Sequence, residues 1–539
     1  MERAGRDARE GRRRRPARAG TCVPTMMLGL VLAGAAAVGL FPAGPVTAEE
    51  PVAPAKLADL EADFAASIAD LVRRCRRVGD DRLAQLIEDW PLPEPGPRQQ
   101  ILAAPGVLAA PAWLDLSRAG GLWDDFIAAR KKRAAGTFSL AVAAARAHAA
   151  VPPRGAVEDP ERPPWPDRGD EAIRLLHRTL RDDPDHDRAR AVAGWVRRDG
   201  GWVTAAVARR RERGEEYDAR FGWLPRGRLD RYRAGERFDQ GRWIDAATYD
   251  LRPRSLERPL RFEADHWRIA STGATADAAA VASRLEETWH VWQQAFGGYR
   301  AEPAQRERVF EGRGKPPAND TFAATLVRDR GEYVAALEAI EPAVARTEGI
   351  YWSPAKMAWF IAIDDRRDPG DEGARTVRHE ATHQLFAETR AVSKLAGERV
   401  GFWAIEAAAC YMESLEPAPF GWTLGGPDAG RMPAARQRVL EDGFQVPLEE
   451  LAALGRREFQ ADERLPRIYS QIAGLADFFM NGREGRYRDA FVEYLVRVYT
   501  GTATADTLAK LCRRTHGELD EEFRRHLAAA DSAAERRDR

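Results

Sequence analysis

Two histidines stand four residues apart, with a glutamate directly after the first, in the stretch Arg378-His379-Glu380-Ala381-Thr382-His383-Gln384. Apolar residues at four-residue steps around it predict a helix: Val377, Ala381 and Leu385. On a helix His379 and His383 lie on one face and can hold one metal ion together. Glu380 lies beside them and is placed to act as a general base. The stretch therefore predicts a metal-binding helix.

A third metal ligand is expected, since catalytic zinc usually takes three protein ligands and keeps one open position. The next predicted helix is Phe402-Trp403-Ala404-Ile405-Glu406-Ala407-Ala408-Ala409-Cys410-Tyr411-Met412-Glu413. Its Glu406 is the predicted third ligand. Glu413 lies seven residues later on the same face and could orient a ligand histidine. Three other residues remain alternatives as the third ligand: Cys410, His516 and His526.

The HExxH motif is followed, on this next helix, by Glu406 in a W-x-x-E-A-x-A-x-Y-x-E setting. This combination resembles the gluzincin metallopeptidases, and most closely the uncharacterised secreted bacterial members of the peptidase MA-like superfamily. The resemblance covers about residues 263–530. Ala407 stands where aminopeptidase-N-like enzymes have a glycine, and no G-A-M-E-N-like segment is present. The resemblance therefore does not extend to the exopeptidase features.

The resemblance implies a zinc-dependent peptidase that acts on a peptide or protein substrate, with Glu380 as general base. Gluzincins supply an oxyanion donor from a helix well after the third ligand, and Tyr469 stands at a comparable distance past Glu406. Tyr411 and His516 are the rival donors. Two other functions stay open: a catalytically silent gluzincin-fold binding or scaffold protein, and a zinc hydrolase of non-peptide substrates.

The expected fold class is α+β, with a zincin-like catalytic domain in which a small mixed sheet precedes helices. Strands are predicted at Phe322–Val327, Gly349–Trp352 and Met357–Ile363. The last of these could bind a peptide by edge-strand addition, or it could equally be a buried strand. Helices are predicted at Ala278–Phe296, with Asp277 as N-cap, and at Tyr333–Ile340. Beyond residue 371 nearly everything is predicted to be helical, to about Ala530.

Six segments divide the sequence by composition. They are a signal peptide (1–48), a helical region (49–150), a Pro-rich linker (151–167), a Gly/Trp-rich region (168–262), the gluzincin-like domain (263–530) and a polar tail (531–539). A helical hairpin is expected around Ala172–Val192. The Gly/Trp-rich region then predicts one or two small β-hairpins, in which each tryptophan fills a small core.

The N-terminal segment 1–48 predicts export. Eight arginines precede an apolar run at Met26–Phe41, and small residues end at Ala48. This pattern favours a periplasmic or extracellular protein, with an uncleaved membrane anchor as the alternative. No later stretch is long and apolar enough to span a membrane. Basic and acidic residues are equal in number, 83 each, so the composition is not that of a general nucleic-acid binder. Oligomeric state is left open.

Overall fold

The computed structural model describes residues 57–94, 96–103, 110–149, 168–318, 321–362 and 372–537, the side chains of 168–169 and 530–537 excepted. The predicted signal peptide and the Pro-rich linker lie outside the described residues. Helices and strands are both present, which confirms the α+β class. Residues from Ala53 onward form one compact unit.

The N-terminal region is helical, as predicted, but it also contributes a strand that the sequence did not indicate. Its elements are α1 (Leu57–Arg77), α2 (Asp81–Glu88), β1 (Gln99–Leu102), α3 (Leu116–Ala149), α4 (Arg168–Asp182) and α5 (Asp187–Val192). The stripe Phe64, Ile68 and Leu71 of α1 is buried against α3. Helices α4 and α5 are the predicted helical hairpin.

The Gly/Trp-rich region contains three hairpins rather than one or two, and each is followed by a short helix. The elements are β2 (Trp195–Arg198), β3 (Gly201–Thr204), α6 (Ala205–Glu212), β4 (Glu215–Asp218), β5 (Gly222–Pro225), α7 (Arg226–Arg233), β6 (Glu236–Asp239), β7 (Arg242–Asp245) and α8 (Ala246–Asp250). Aromatic pairs such as Tyr217–Trp223 and Phe238–Trp243 are in ring contact. Of the tryptophans predicted to fill small cores, Trp223 is buried, whereas Trp195, Trp202 and Trp243 are only partly buried. The predicted number was too low because the third repeat has a weaker sequence signal, with an arginine inserted between its glycine and its tryptophan.

A five-stranded mixed sheet follows, in the order β11-β12-β10-β9-β8. Its strands and the helices around them are β8 (Leu260–Glu263), β9 (Trp267–Ser271), α9 (Thr275–Ala295), α10 (Pro303–Phe310), β10 (Phe322–Val327), α11 (Arg330–Leu337), β11 (Gly349–Trp352) and β12 (Met357–Ile361). Strand β10 is parallel to β9 and β12, whereas β8 and β11 run antiparallel to their neighbours. The N-cap of α9 is Ala274, and not Asp277 as predicted. The carboxylate of Asp277, three residues after the N-cap, accepts a hydrogen bond from the backbone N–H of Ala274.

Of the two alternatives for the predicted strand Met357–Ile363, edge or buried, the structure shows the buried one: it lies between β11 and β10 and ends at Ile361. The apolar run alone could not distinguish a central strand from an edge strand. Among the described strands, β11 lies at this edge of the sheet and pairs only with β12.

The last part of the chain is mostly helical, as predicted, with one hairpin that the sequence did not indicate. Its elements are α12 (Glu372–Glu388), α13 (Phe402–Met412), β13 (Glu416–Ala418), β14 (Gly421–Leu424), α14 (Met432–Arg436), α15 (Leu448–Ala453), α16 (Arg456–Gln460), α17 (Leu465–Gly485), α18 (Arg488–Tyr499), α19 (Thr507–Cys512) and α20 (His516–Arg537). The hairpin pairs with β1, so the N-terminal region joins a sheet of the last part.

The main hydrophobic core joins the five-stranded sheet to α9, α12, α13, α17 and α18. Helix α12 packs on both α9 and α13, and α13 packs on α17. Three helices that the sequence associates with chemistry therefore meet at one place. Among the described helices, none combines the length and the apolarity that crossing a membrane requires.

Candidate functional site

Helices α12 and α13 bring the three predicted ligands together. The Nε2 atom of His379 lies 3.5 Å from Oε2 of Glu406, and Nε2 of His383 lies 3.7 Å from Oε1 of the same carboxylate. The two imidazole rings are nearly perpendicular, with centroids 4.8 Å apart. The four-residue spacing on α12 thus turns both Nε2 atoms toward a single side chain of α13.

These separations suit a tetrahedral metal site. Zinc bonds of about 2.0–2.2 Å at tetrahedral angles place neighbouring ligand atoms roughly 3.3–3.6 Å apart. The observed 3.5 Å and 3.7 Å differ from that range by at most about a tenth of an ångström and end on different oxygens of the Glu406 carboxylate. One ligand atom from each of the three residues lies within 4.8 Å of the other two. Imidazole nitrogens and carboxylate oxygens are also ligand types that zinc favours. The donor set therefore fits the metal that the sequence predicts.

Glu413 supports this group from the end of α13. Its Oε1 lies 2.8 Å from Nδ1 of His379, so the ring keeps Nε2 directed toward Glu406. Arg431, just before α14, donates to both oxygens of Glu413 at 2.8 Å and 3.1 Å. Only 5% of the Glu413 side chain is exposed, and the arginine compensates its buried charge. The predicted orienting contact of Glu413 is present.

Glu380 lies between the ligand group and the edge of the sheet. Its Oε2 accepts a hydrogen bond from the backbone N–H of Tyr351 at 2.7 Å. Among the described residues, its Oε1 has no hydrogen-bond partner. Strand β11 approaches so closely because it carries Gly349, where an added Cβ would lie 2.8 Å from Cγ2 of Thr376 and 3.2 Å from Cγ of Glu380. A glycine thus allows the edge strand to pack against the motif helix.

Tyr469 of α17 also reaches the site. Its hydroxyl donates to Oε2 of Glu406 at 3.0 Å. The guanidinium carbon of Arg431 lies 5.8 Å from the centre of its ring. The predicted donor is therefore next to the predicted third ligand, although the two are far apart in sequence.

The electrostatics of the site favour a cation among these residues. Burial opposes ionisation of Glu406, but the neighbouring histidines and the Tyr469 hydroxyl outweigh it and lower its pKa to about 2. Burial lowers the pKa of His383 to about 4, which keeps that ring neutral and able to ligate. Burial also disfavours a charged His379, yet hydrogen bonds to Cys410, Glu406 and Glu413 raise its pKa well above the ordinary value. The proton on His379 thus supplies positive charge where the carboxylates of Glu406 and Glu413 stabilise it.

Burial raises the pKa of Glu380, although the nearby His379 lowers it in part. A carboxylate with a raised pKa is a stronger base than an exposed glutamate. Burial also raises the pKa of Tyr469, with the Glu406 charge as the next cause, so its hydroxyl keeps its proton and remains a donor.

The rival residues lie elsewhere, with one exception. The Tyr411 hydroxyl donates to Gln99 and Asn481 in the core. Nε2 of His526 lies 2.7 Å from Asp477, and neither His526 nor His516 belongs to a ligand group among the described residues. Cys410 does come close: its sulfur, His379 and Glu413 offer ligand atoms within 4.8 Å of one another. It is fully buried beside His379.

Sequence reasoning missed Arg431 and strand β11 as parts of the site. Arg431 follows a loop that contains Gly425, Gly426 and Gly430, all with positive φ. Those glycines were a signal for a tight turn, but no spacing rule connects them to the HExxH helix. The contact between Tyr351 and Glu380 is made by the backbone, so residue types could not indicate it.

Comparison of the chain with protein-family models and with curated protein sequences found no match. The functional argument therefore rests on the geometry of the site.

Proposed function

We propose that this chain is a zinc-dependent hydrolase of the gluzincin type and that it cleaves peptide bonds. One observation carries the proposal: the Nε2 atoms of His379 and His383 lie 3.5 Å and 3.7 Å from the two oxygens of the Glu406 carboxylate, close to the separation of zinc ligands. Glu380 directly follows His379, and the Tyr469 hydroxyl donates to Glu406. The N-terminal run of arginines followed by apolar residues supports export of the enzyme.

His379, His383 and Glu406 would hold the zinc, and Glu413 would fix the orientation of His379. When bound, zinc supplies Lewis acidity, which polarises a carbonyl oxygen and lowers the pKa of water. A resident cation also balances the buried negative charge of Glu406 and Glu413.

The remaining steps belong to side chains of this protein. Glu380 would take a proton from the attacking water and deliver it to the leaving amine. Burial raises its pKa and makes the first transfer easier. The protonated Tyr469 hydroxyl would donate to the developing oxyanion, in exchange for its hydrogen bond to Glu406.

The edge strand supports a peptide as substrate. Within the described part of the chain β11 has a strand neighbour on one side only, and its Tyr351 N–H donates to Glu380. An extended peptide that added to this edge would run beside the general base. A hydrolase of small esters or sugars has no use for an open strand in that position.

Zinc content and chelator-sensitive cleavage test the proposal. We expect about one zinc per purified chain and cleavage of a mixed peptide library that stops on chelation and returns with zinc. Glu406→Gln is expected to lose zinc and peptide cleavage. Glu398 is an exposed carboxylate shortly before α13, and Glu398→Gln should keep both. A chain that binds zinc but cleaves neither peptides nor esters would instead support the scaffold function.

A further inference from the structure

A cavity of about 580 Å³ lies between the first hairpin repeat and the segment that follows α10. It shares no lining residue with the metal site. Its walls are apolar, and the largest side chains in them are Trp195, Val196, Val309, Phe310 and Pro316. A volume of this size is ordinary for a small-molecule site. The cavity is therefore large enough for a ligand with a substantial apolar part.

The charged residues that line this cavity are all cationic. They are Arg188, Arg209 and Lys315, and neither aspartate nor glutamate appears among the described lining residues. A smaller cavity of about 110 Å³ shares the Val309, Phe310 and Pro316 wall and again is lined by arginines without an acidic residue. Acidic and basic residues are equally frequent in the chain, so this separation of charge is specific to the place.

The three cations differ in how they are held. Arg188 donates to the carbonyl of Phe310 at 3.4 Å, which fixes it against one wall. Arg209 and Lys315 are exposed at the rim and form no ion pair with any residue that the structure describes. An anionic group at the rim would find two available cations, while an attached apolar chain would lie against the inner walls.

We propose that this cavity binds a single-chain amphiphile with an anionic head, of the fatty-acid type. The apolar walls select the alkyl chain, and the cationic rim selects the head. A compact hydrophilic anion would leave the walls uncovered, and a neutral hydrocarbon would gain nothing from Arg209 and Lys315. The inference is independent of the hydrolase function.

Calorimetric titration of the full chain tests the ligand class. Dodecanoate and dodecyl phosphate are titrated below their micelle concentrations, with dodecyltrimethylammonium as the cationic control. We expect the anionic amphiphiles to bind at least tenfold more tightly than the control, and a carboxylate-over-phosphate preference would identify the head. Shortening the carboxylate should weaken binding about threefold to fourfold per methylene. Equal binding of the cationic control, or no binding of any amphiphile, overturns the proposal.

Matched variants locate the site. Arg209→Gln combined with Lys315→Gln should weaken dodecanoate binding about fivefold to tenfold, since exposed ion pairs each contribute modestly. Arg211→Gln removes another exposed arginine of α6 that lines a different cavity, and it should change nothing. Ala206→Trp should block the cavity while circular dichroism confirms the fold. If the arginine–lysine double variant and the tryptophan variant both bind dodecanoate as wild type does, the assignment to this cavity is wrong.

Discussion

The proposed metal site and the hairpin repeats use the same charged residue types in opposite ways. In the site, Glu413 connects His379 on α12 to Arg431 beyond the hairpin, and only 5% of its side chain is exposed. In the repeats, Arg213 pairs with Glu215, two residues away, and 57% of the arginine is exposed. One arrangement joins distant elements inside the protein. The other lies within a single turn at the surface.

The difference shows where charge has consequences. An exposed local pair contributes about 0–1 kcal/mol, because water solvates both partners almost as well. A buried charge is costly unless it is compensated, so removing one partner leaves the other uncompensated. We therefore expect substitutions in the site to have large and specific effects, and equivalent substitutions in the repeats to have small ones.

The largest effect is expected for Glu380→Gln, which keeps the size of the side chain but removes its basicity. Peptide hydrolysis should fall by about 10²- to 10⁴-fold. Zinc content should stay unchanged, because Glu380 is not a ligand in the proposed site. Steady-state assays and elemental analysis of the same preparation measure both. Glu372→Gln, at the exposed start of the same helix, is the control and should remain active.

Tyr469→Phe is expected to follow, with hydrolysis reduced by about 10²-fold through loss of an oxyanion donor. The effect should fall on kcat more than on KM, because the contact strengthens in the transition state. Tyr411→Phe provides the matched control. Its hydroxyl bonds Gln99 and Asn481 in the core, so it should lower the melting temperature and leave kcat nearly intact. The reverse pattern would assign the donor role to Tyr411.

Glu413→Gln tests the connection between distant elements directly. The neutral amide oxygen accepts the His379 Nδ1–H more weakly than a carboxylate and forms no ion pair with Arg431, so zinc affinity should fall about 10- to 100-fold. Competition with a fluorescent zinc chelator measures the change. Glu416→Gln, three residues later and bound to Arg98 in the hairpin sheet, should keep wild-type affinity. If Glu416→Gln loses as much zinc affinity as Glu413→Gln, then Glu413 supports the hairpin sheet and does not orient His379.

How far the site could be predicted from sequence depends on whether its contacts are local. His379, Glu380 and His383 follow from helical periodicity alone, since four residues make about one turn. Glu406, Glu413 and Tyr469 were predicted from the next helix and through the resemblance, and the structure brings all three to the ligand histidines or to each other. Arg431 was beyond reach, because its contact with Glu413 depends on how a glycine-rich loop folds back.

The fold divides in the same way. Strands Phe322–Val327 and Gly349–Trp352 were predicted with the bounds that the structure shows, because apolar β-branched and aromatic runs between turns define them locally. Their order in the sheet was not predictable. Strand β12 is central because it pairs with β10, from which α11 and β11 separate it in sequence, and no local pattern encodes that partner. The pairing of β1 with β14 joins the N-terminal region to the last part of the chain and was missed for the same reason.

A partly exposed histidine outside the site, His177, gives a prediction about pH. Burial, with a smaller effect of the adjacent His290, lowers the pKa of His177 to about 3, against about 6.5 when unfolded. The unfolded chain therefore binds the proton more readily between these values. The contribution of this residue to stability is complete above pH 6.5 and is lost as the pH falls toward 3, by up to about 1.36 kcal/mol per pH unit. His177→Gln should lose less stability than wild type between about pH 7 and 4.5, as measured by urea midpoints.

The smallest effect is expected where the comparison started, at Arg213, which follows α6 of the first repeat. Arg213→Gln removes its ion pair with Glu215, but Arg210 still donates to that carboxylate at 2.9 Å, so no charge is left without a partner. The melting temperature should shift by less than about 2 °C, and zinc content and hydrolysis should equal those of wild type. Differential scanning calorimetry at low and at high salt measures the shift in melting temperature, and about 1 M salt should abolish this shift. If Arg213→Gln lost as much zinc affinity as Glu413→Gln, the hairpin repeats and the site would be electrostatically coupled and could not be treated as separate regions.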